Sequence, residues 1–286
     1  VIIDTDAKNE ADDQYAIVHA LLSPTLDVRG LIAAHFGVER TVHSQAESRD
    51  EIDRLLQLMN LKGERVVANG AAAAIPDEAS PVASEGSQLI IEESRLTSAD
   101  DPLFIAFLGP LTDMASAILI DPGIVERHVV VIWIGGMGYD VDPSYPGIEF
   151  NLRNDIAAAN VVFDSGITVW QVPASVYSMV SVGYAELDEK IGGTSDLADY
   201  LIGQLVEWNA TYHREPIESR SLGDSPAVSL VLFPQGATFR TLPSPRFGPD
   251  GRYVPGAGHP IRVCQSVDVR FLLEDMFAKI RRFGRL

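Results

Sequence analysis

Short apolar runs rich in β-branched residues alternate along this chain with stretches of helical period, and few folds accommodate that rhythm. VRGLIAA (28–34) precedes helical spacing over 39–60, LFIAFL (103–108) precedes 111–120, VVVIWI (129–134) precedes 154–163, and ITVWQV (167–172) ends the series. Runs that lack polar alternation are strands buried on both faces, and the segments between them return the chain across the sheet as helices. The pattern predicts a mostly parallel open sheet with helices on both faces, a Rossmann-like α/β fold. At 286 residues, 46% of them hydrophobic, the chain can bury a sizeable core, and it reads as a single domain over 1–286. In such a sheet ligands lie beyond the carboxyl ends of the strands, so functional residues are sought where strands lead into helices.

The rest of the chain punctuates this scheme. NGAAAAIPDEASPVASEG (69–86) and the Pro- and Gly-rich 241–260 read as loops or excursions. Helices are predicted over 195–213, over 268–280 from the spacing of Val269, Leu272, Leu273, Met276 and Ile280, and over 224–234, opened by Asp224. A formal charge of −18 argues against nucleic acid and anionic membrane surfaces as partners. No run approaches the roughly 18 apolar residues of a membrane span. The basic end Lys279, Arg281, Arg282 and Arg285 reads as complementing a helix C-terminus. Cys264, the single cysteine, leaves no intrachain disulfide and reads as core, and a reducing, cytoplasmic location is the expectation. The first residue is Val1 rather than Met, which is compatible with a preceding segment.

The first strand, VII, runs into Asp4, Asp6, Glu10, Asp12 and Asp13 before a helix carrying Ala16, Ile17, Ala20 and Leu21 on one stripe. Asp12 as a helix cap and Asp13 as a dipole partner would account for two of these carboxylates. Capping does not account for Asp4 and Asp6. Crowded carboxylates raise one another's pKa unless a cation neutralises them, and oxygen ligands without imidazoles favour Ca²⁺ or Mg²⁺, with Ca²⁺ preferred for a loop of mixed ligands. The spacing is not that of an EF-hand, which needs a turn Gly and a closing Glu.

DTD followed by DD and an apolar helix resembles the N-terminal signature of the inosine/uridine-preferring nucleoside hydrolases. Further stretches are similar to that family in the same order: FLGPLTDMASAI (107–118), WIGGMG (133–138), GIEFNLRNDIAAANVVF (147–163) and DSPAVSLVLFP (224–234). The resemblance implies hydrolysis of the N-glycosidic bond of a small-molecule nucleoside, and a homodimer or homotetramer. It implies Ca²⁺ held by Asp6, Asp13, Asp224 and the carbonyl of Leu108, with Asp6 also accepting a proton from the attacking water. Asp12 and Asn151 would bind the ribose diol. Glu149 and Asn151, two apart in a stretch read as extended and so on one face, would grip the sugar ends, and Asp4 would orient the loop.

Departures from the family pattern fall on the base side. The family's His before the late Asp is here Gly223, so His213, Tyr212, Trp208 and His35 become the candidates for handling the leaving base. For His213 the bland reading is a surface His at a helix end. The first loop is two residues longer and is expected to bring Lys8, Asn9 and Glu10 to the cavity rim, Asn9 replacing the Asn lost at Val38 and Lys8 meeting an anionic substituent such as a 5′-phosphate. Two rival readings stand beside the hydrolase: a nucleoside or ribose sensor that has lost its leaving-group acid, and a Mg²⁺-dependent phosphohydrolase.

Overall fold

The computed structural model describes residues 1–140, 147–254, 256 and 258–285. Its strands are β1 (Ile2–Thr5), β2 (Gly30–Ala33), β3 (Val67–Asn69), β4 (Leu103–Phe107), β5 (Val129–Ile134), β6 (Thr168–Val172), β7 (Ser181–Gly183), β8 (Ser219–Ser221), β9 (Ala237–Pro243), β10 (Arg246–Phe247), β11 (Tyr253–Val254) and β12 (Pro260–Val267). Eight of them form one sheet in the order β3-β2-β1-β4-β5-β6-β12-β9, parallel throughout except for the last pair. The expected mostly parallel α/β sheet is therefore present.

Its strands are apolar on both sides because both sides are covered. Ile2 packs into one core cluster and Ile3, pointing the other way, into the second. The helices are α1 (Asp13–Leu21), α2 (Ser44–Leu58), α3 (Glu85–Ser94), α4 (Thr112–Ile120), α5 (Phe150–Asn154), α6 (Ile156–Asp164), α7 (Ala174–Tyr177), α8 (Tyr184–Ile191), α9 (Asp196–Tyr212), α10 (Ser225–Leu232) and α11 (Val269–Phe283). Residues of α1, α2 and α8 to α11 fill the cluster around Ile3, and those of α3, α4 and α6 fill the one around Ile2. Local signals set several starts: Ser84, Asp155, Ser195 and Asp268 each cap the following helix by accepting from its backbone N–H groups. Cys264 lies fully in the core, where burial pushes its thiol up to about 11. Among the described residues no helix is long and apolar enough to cross a membrane.

Three expectations change. The segment 241–260 is not purely loop: it holds the end of β9 and the antiparallel β10–β11 pair, whose Tyr253 hydroxyl accepts from the buried Gln171 Nε2 at 2.7 Å. The helix expected over 154–163 is α6, and a short helix not foreseen, α5, precedes it, divided from it at Asp155, whose extended φ of −159° and side-chain acceptor role start the second helix. The stretch 69–86, read as loop, ends in the first turn of α3.

β1 sits near the middle of the sheet, paired with β2 on one side and β4 on the other. The chain turns outward in opposite directions from these neighbours, β2 and β3 lying to one side and β4, β5 and β6 to the other. The resulting crevice at the carboxyl ends of β1 and β4 is where an open α/β sheet binds its ligand. The loop from Asp6 to Asp12 leaves β1 there, and Leu108 and Gly109 follow β4 into the same space.

Candidate active site

Four carboxylates meet in this crevice. Asp6, Asp12 and Asp13 come from the loop after β1 and the start of α1, and Asp224 comes from the residue before α10. All are buried, at 1%, 7%, 1% and 6% relative exposure. Carboxylate oxygens of Asp12, Asp13 and Asp224 lie within 4.8 Å of one another. Asp6 stands beside them against Gly109: a Cβ placed on that glycine would be 2.9 Å from the Asp6 Cγ, so the β4 loop has to be bare there.

None of the three acids at the helix starts is spent as a cap. Asp12 precedes α1 without a capping bond from its side chain, and its Oδ2 instead accepts the backbone N–H of Gly223 at 2.9 Å. Asp224 precedes α10 and makes no capping bond either. Asp13 accepts the hydroxyl of Thr5. The capping alternative for Asp12 therefore fails, because the side chain turns inward to the acidic group.

The cost of this arrangement appears as a shared reluctance to ionise. Burial and the neighbouring charges of Asp13, Asp12 and Glu10 hold Asp6 well above the usual carboxylate range, and burial with Asp12, Asp13 and Asp6 does the same for Asp224. Asp12 is pushed up to about 8 by burial, Glu10 and Asp13, against the pull of Arg220. Asp13 rises only to about 6, because hydrogen bonds from Thr5 and Asp224 oppose its burial. One Asp6 oxygen, Oδ2, is buried with no hydrogen-bond partner, as are both oxygens of Asp4 and the Oδ1 of Asn9. An orphaned carboxylate oxygen among three other acids, with the Leu108 carbonyl lining the same pocket, is an all-oxygen donor set that a hard divalent cation fits.

Glu149 and Asn151 border the pocket, but not from an extended segment. Glu149 is the residue before α5, and Asn151 lies within that helix. The alternation in IEFN looks like a strand, yet the Glu149 carboxylate accepts from the N–H groups of Asn151 and Leu152, which fixes a helix start. It also accepts from Gly136 N–H at 2.7 Å and from the Tyr177 hydroxyl at 3.0 Å, so its lone pairs are fully used. Burial raises its pKa and these donors counter the rise. Asn151 donates through Nδ2 to the carbonyls of Leu108 at 2.6 Å and Ile134 at 2.9 Å, which leaves its Oδ1 as the atom available to a ligand.

Three of the four base-side candidates stand together at the end of α9, the Trp208 ring 4.5 Å from Tyr212 and 5.9 Å from His213, centroid to centroid. His213 lies beyond the end of α9 and lines a cavity with Tyr184 and Pro216. His35 is 1% exposed and is built into the interior: its Nδ1 accepts from Gly37 N–H, its Nε2 bonds Thr112, and Thr112 donates to Asp155. Burial lowers its pKa to about 4, so it is a neutral strut. Trp208 and Tyr212 line a cavity of about 350 Å³ that shares Glu10 with the acidic pocket. Asn9 does line the acidic pocket, whereas Lys8 is paired with Glu51 at 3.1 Å and is not at its wall. Lys8 instead lines the adjoining cavity, where its ammonium is paired with Glu51 of α2, 43 positions away.

Two residues of the pocket were not singled out by the sequence. Tyr177, at the end of α7, packs its ring where a side chain at position 223 would go, 2.9 Å from a Cβ placed on Gly223, and it belongs to no run or spacing that would mark it. Phe150 also lines the pocket; it lies between Glu149 and Asn151 in the stretch 147–163, where its apolar side chain reads as core.

Known proteins share this fold and much of this sequence pattern. The family model described as inosine-uridine preferring nucleoside hydrolase matches residues 1–273. A probable uridine nucleosidase 2 of Arabidopsis thaliana is 26% identical over 254 residues, covering 82% of this chain and 77% of that protein. Uridine nucleosidase 1 of the same plant is 24% identical, covering 99% and 93%. Among solved structures, a purine-preferring ribonucleoside hydrolase from Gardnerella vaginalis superposes with a TM-score of 0.81 at 19% identity, covering 99% of this chain and 98% of that one. A plant nucleoside hydrolase superposes at 0.79 with 23% identity, covering 98% of each chain.

Proposed function

The chain belongs to the inosine-uridine preferring nucleoside hydrolase family, and from that membership we propose that it is an N-glycosyl hydrolase that splits ribonucleosides into ribose and a free nucleobase, with Ca²⁺ held in the acidic pocket. The observation that carries the reading is the convergence of four buried aspartates from both ends of the chain on the crevice between β1 and β4. Asp6, Asp13, Asp224 and the Leu108 carbonyl would hold the ion, and Asp12 is close enough to join them. When bound, such an ion supplies a positive charge that lowers the pKa of a water and orients the sugar hydroxyls.

The chain's own groups do the rest. The orphaned Oδ2 of Asp6 is the acceptor for a proton of the attacking water. The Oδ1 atoms of Asn9 and Asn151 face the pocket as acceptors for ribose hydroxyls, while Asn151 keeps the Leu108 carbonyl in place through Nδ2. Glu149, fully occupied by three backbone donors and Tyr177, can accept a sugar hydroxyl only by giving up the Tyr177 bond. As the bond to the base stretches, the positive charge that grows on the ribose is met by the surrounding carboxylates. The acids are thus too close to be comfortable without a cation and well placed to serve a cationic transition state.

Release of reducing sugar from a panel of purine and pyrimidine nucleosides, with Ca²⁺ and with a chelator, tests the reading. Turnover that depends on the ion and is lost in Asp13→Ala supports it. Nucleoside binding without any sugar release would leave a binding protein, and phosphate release from nucleotides would replace it with a phosphohydrolase.

A further inference from the structure

Three cations stand about the cavity that adjoins the acidic pocket, and two are already neutralised. Lys8 is paired with Glu51. Arg220 is paired with Glu10, its guanidinium 4.0 Å from the Trp208 ring centroid. Arg40 makes no ion pair with a carboxylate among the described residues, in a chain whose net charge is −18. It is nevertheless fixed in place. One N–H of Arg40 is donated to the backbone carbonyl of Asn9, and the guanidinium lies 5.5, 5.9 and 5.4 Å from the ring centroids of Phe150, Trp208 and Tyr212.

Asn9 and Phe150 belong to the acidic pocket, and Arg40, Trp208 and Tyr212 belong to the adjoining cavity of about 350 Å³. The guanidinium therefore stands at the boundary between the space for the sugar and a space large enough for a base. Aromatic faces favour a cation by about 0.5–2 kcal/mol but give its N–H groups no acceptor, so most of its donors remain available to an electron-rich ligand. On the other side, position 223 cannot supply a proton donor. A Cβ there would meet Tyr177 at 2.9 Å and the Asp12 carboxylate at 3.3 Å.

We propose that Arg40 is the catalytic residue that receives the departing base, donating to a carbonyl oxygen of the base and stabilising the negative charge that collects there. The inference rests on the nucleoside-hydrolase reading and adds to it the residue that acts on bases carrying an exocyclic oxygen, such as uracil and hypoxanthine. The C1′–N bond breaks with both electrons going to the base nitrogen, and conjugation carries that charge to the exocyclic oxygen. The water oxygen bonds to C1′, one of its protons passes to Asp6, and the base anion takes a proton from solvent after release. Adenine has no such oxygen and offers only ring nitrogens, so it gains less from the guanidinium.

The test compares wild type, Arg40→Met and Arg40→Lys, all loaded with Ca²⁺, on uridine, adenosine and 4-nitrophenyl ribofuranoside, whose nitrophenolate leaves without help. Arg40→Met is expected to lower kcat/KM for uridine about 100-fold, the scale of one lost charge-assisted hydrogen bond in a transition state. Its rate on the nitrophenyl riboside should stay within about threefold of wild type, a range too small to reflect loss of a transition-state contact, and the loss on adenosine should be smaller than that on uridine. Arg40→Lys should recover part of the uridine rate. Equal losses on all three substrates would make Arg40 a scaffold residue, and an undiminished uridine rate would remove its role; either overturns the inference while the hydrolase stands. A wild type that cleaves none of the three overturns the hydrolase reading and the inference together.

Discussion

Asp12→Asn should give a protein that is more stable without metal and far less active with it. The structure supplies the magnitude. Asp12 is 7% exposed and its carboxyl is pushed up to about 8 from an ordinary 3.8, by burial first and then by Glu10 and Asp13. Folding at pH 7.5 therefore requires Asp12 to take up a proton that the unfolded chain does not hold, at a cost on the order of 4 kcal/mol. The penalty is absent below the unfolded value near 4, grows as the pH rises, and levels off above the folded value near 8. Asparagine removes the titration while its amide oxygen can still accept the Gly223 N–H. In chelator at pH 7.5 the variant's Tm should exceed that of wild type by roughly 5 to 10 °C, at about 2 °C per kcal/mol for a chain of this size. At pH 4.5 most of the gain should vanish. With excess Ca²⁺ the gap should narrow, because wild type gains about 4 kcal/mol at a thousandfold excess over Kd and the variant gains less. Thermal denaturation at the two pH values decides it: a variant that melts below wild type at pH 7.5 in chelator, or that gains equally at both pH values, refutes the argument from crowded acids.

Gly109→Ala places a methyl group 2.9 Å from the Asp6 Cγ and should lower kcat at least tenfold, roughly the loss expected from a sub-ångström displacement of a catalytic group, with Tm shifted only a few degrees; steady-state kinetics beside a melting curve would read both. His213→Ala should change kcat/KM less than about threefold on any nucleoside, since the ring lies in a separate cavity and surface changes are usually near neutral; a loss of two orders of magnitude would mean that the end of α9 moves over the site.

The parts of this molecule legible in the sequence are those set by local pattern. β1, β2, β4 and β5 are buried on both faces and therefore read as largely apolar runs, and β6 reads the same way although Thr168 is exposed and Gln171 is polar. β9 and β12 escaped notice because they lie at the outer side of the sheet, where Arg240, Arg262 and Gln265 interrupt the pattern. β3, β7 and β8 have three residues each, too few to establish a period. The acidic loop was legible because repulsion among neighbouring carboxylates is visible in any order of folding. What the loop's other residues face was not, because their partners are distant: Lys8 finds Glu51, Glu10 finds Arg220, and the Asn9 carbonyl finds Arg40 and Trp208. The sequence marks Glu149 and Asn151 as a pair without revealing that a helix begins between them.

The hydrogen bond from Gly223 to Asp12 spans 211 positions, and Asp224 beside it completes the acidic group. Ribosomes deliver a chain from its amino end, so the three leading aspartates spend most of synthesis waiting for their fourth member. A nascent or prematurely ended product that stops short of residue 224 holds only part of the constellation. The acidic group is whole only once α10 has docked beside α1.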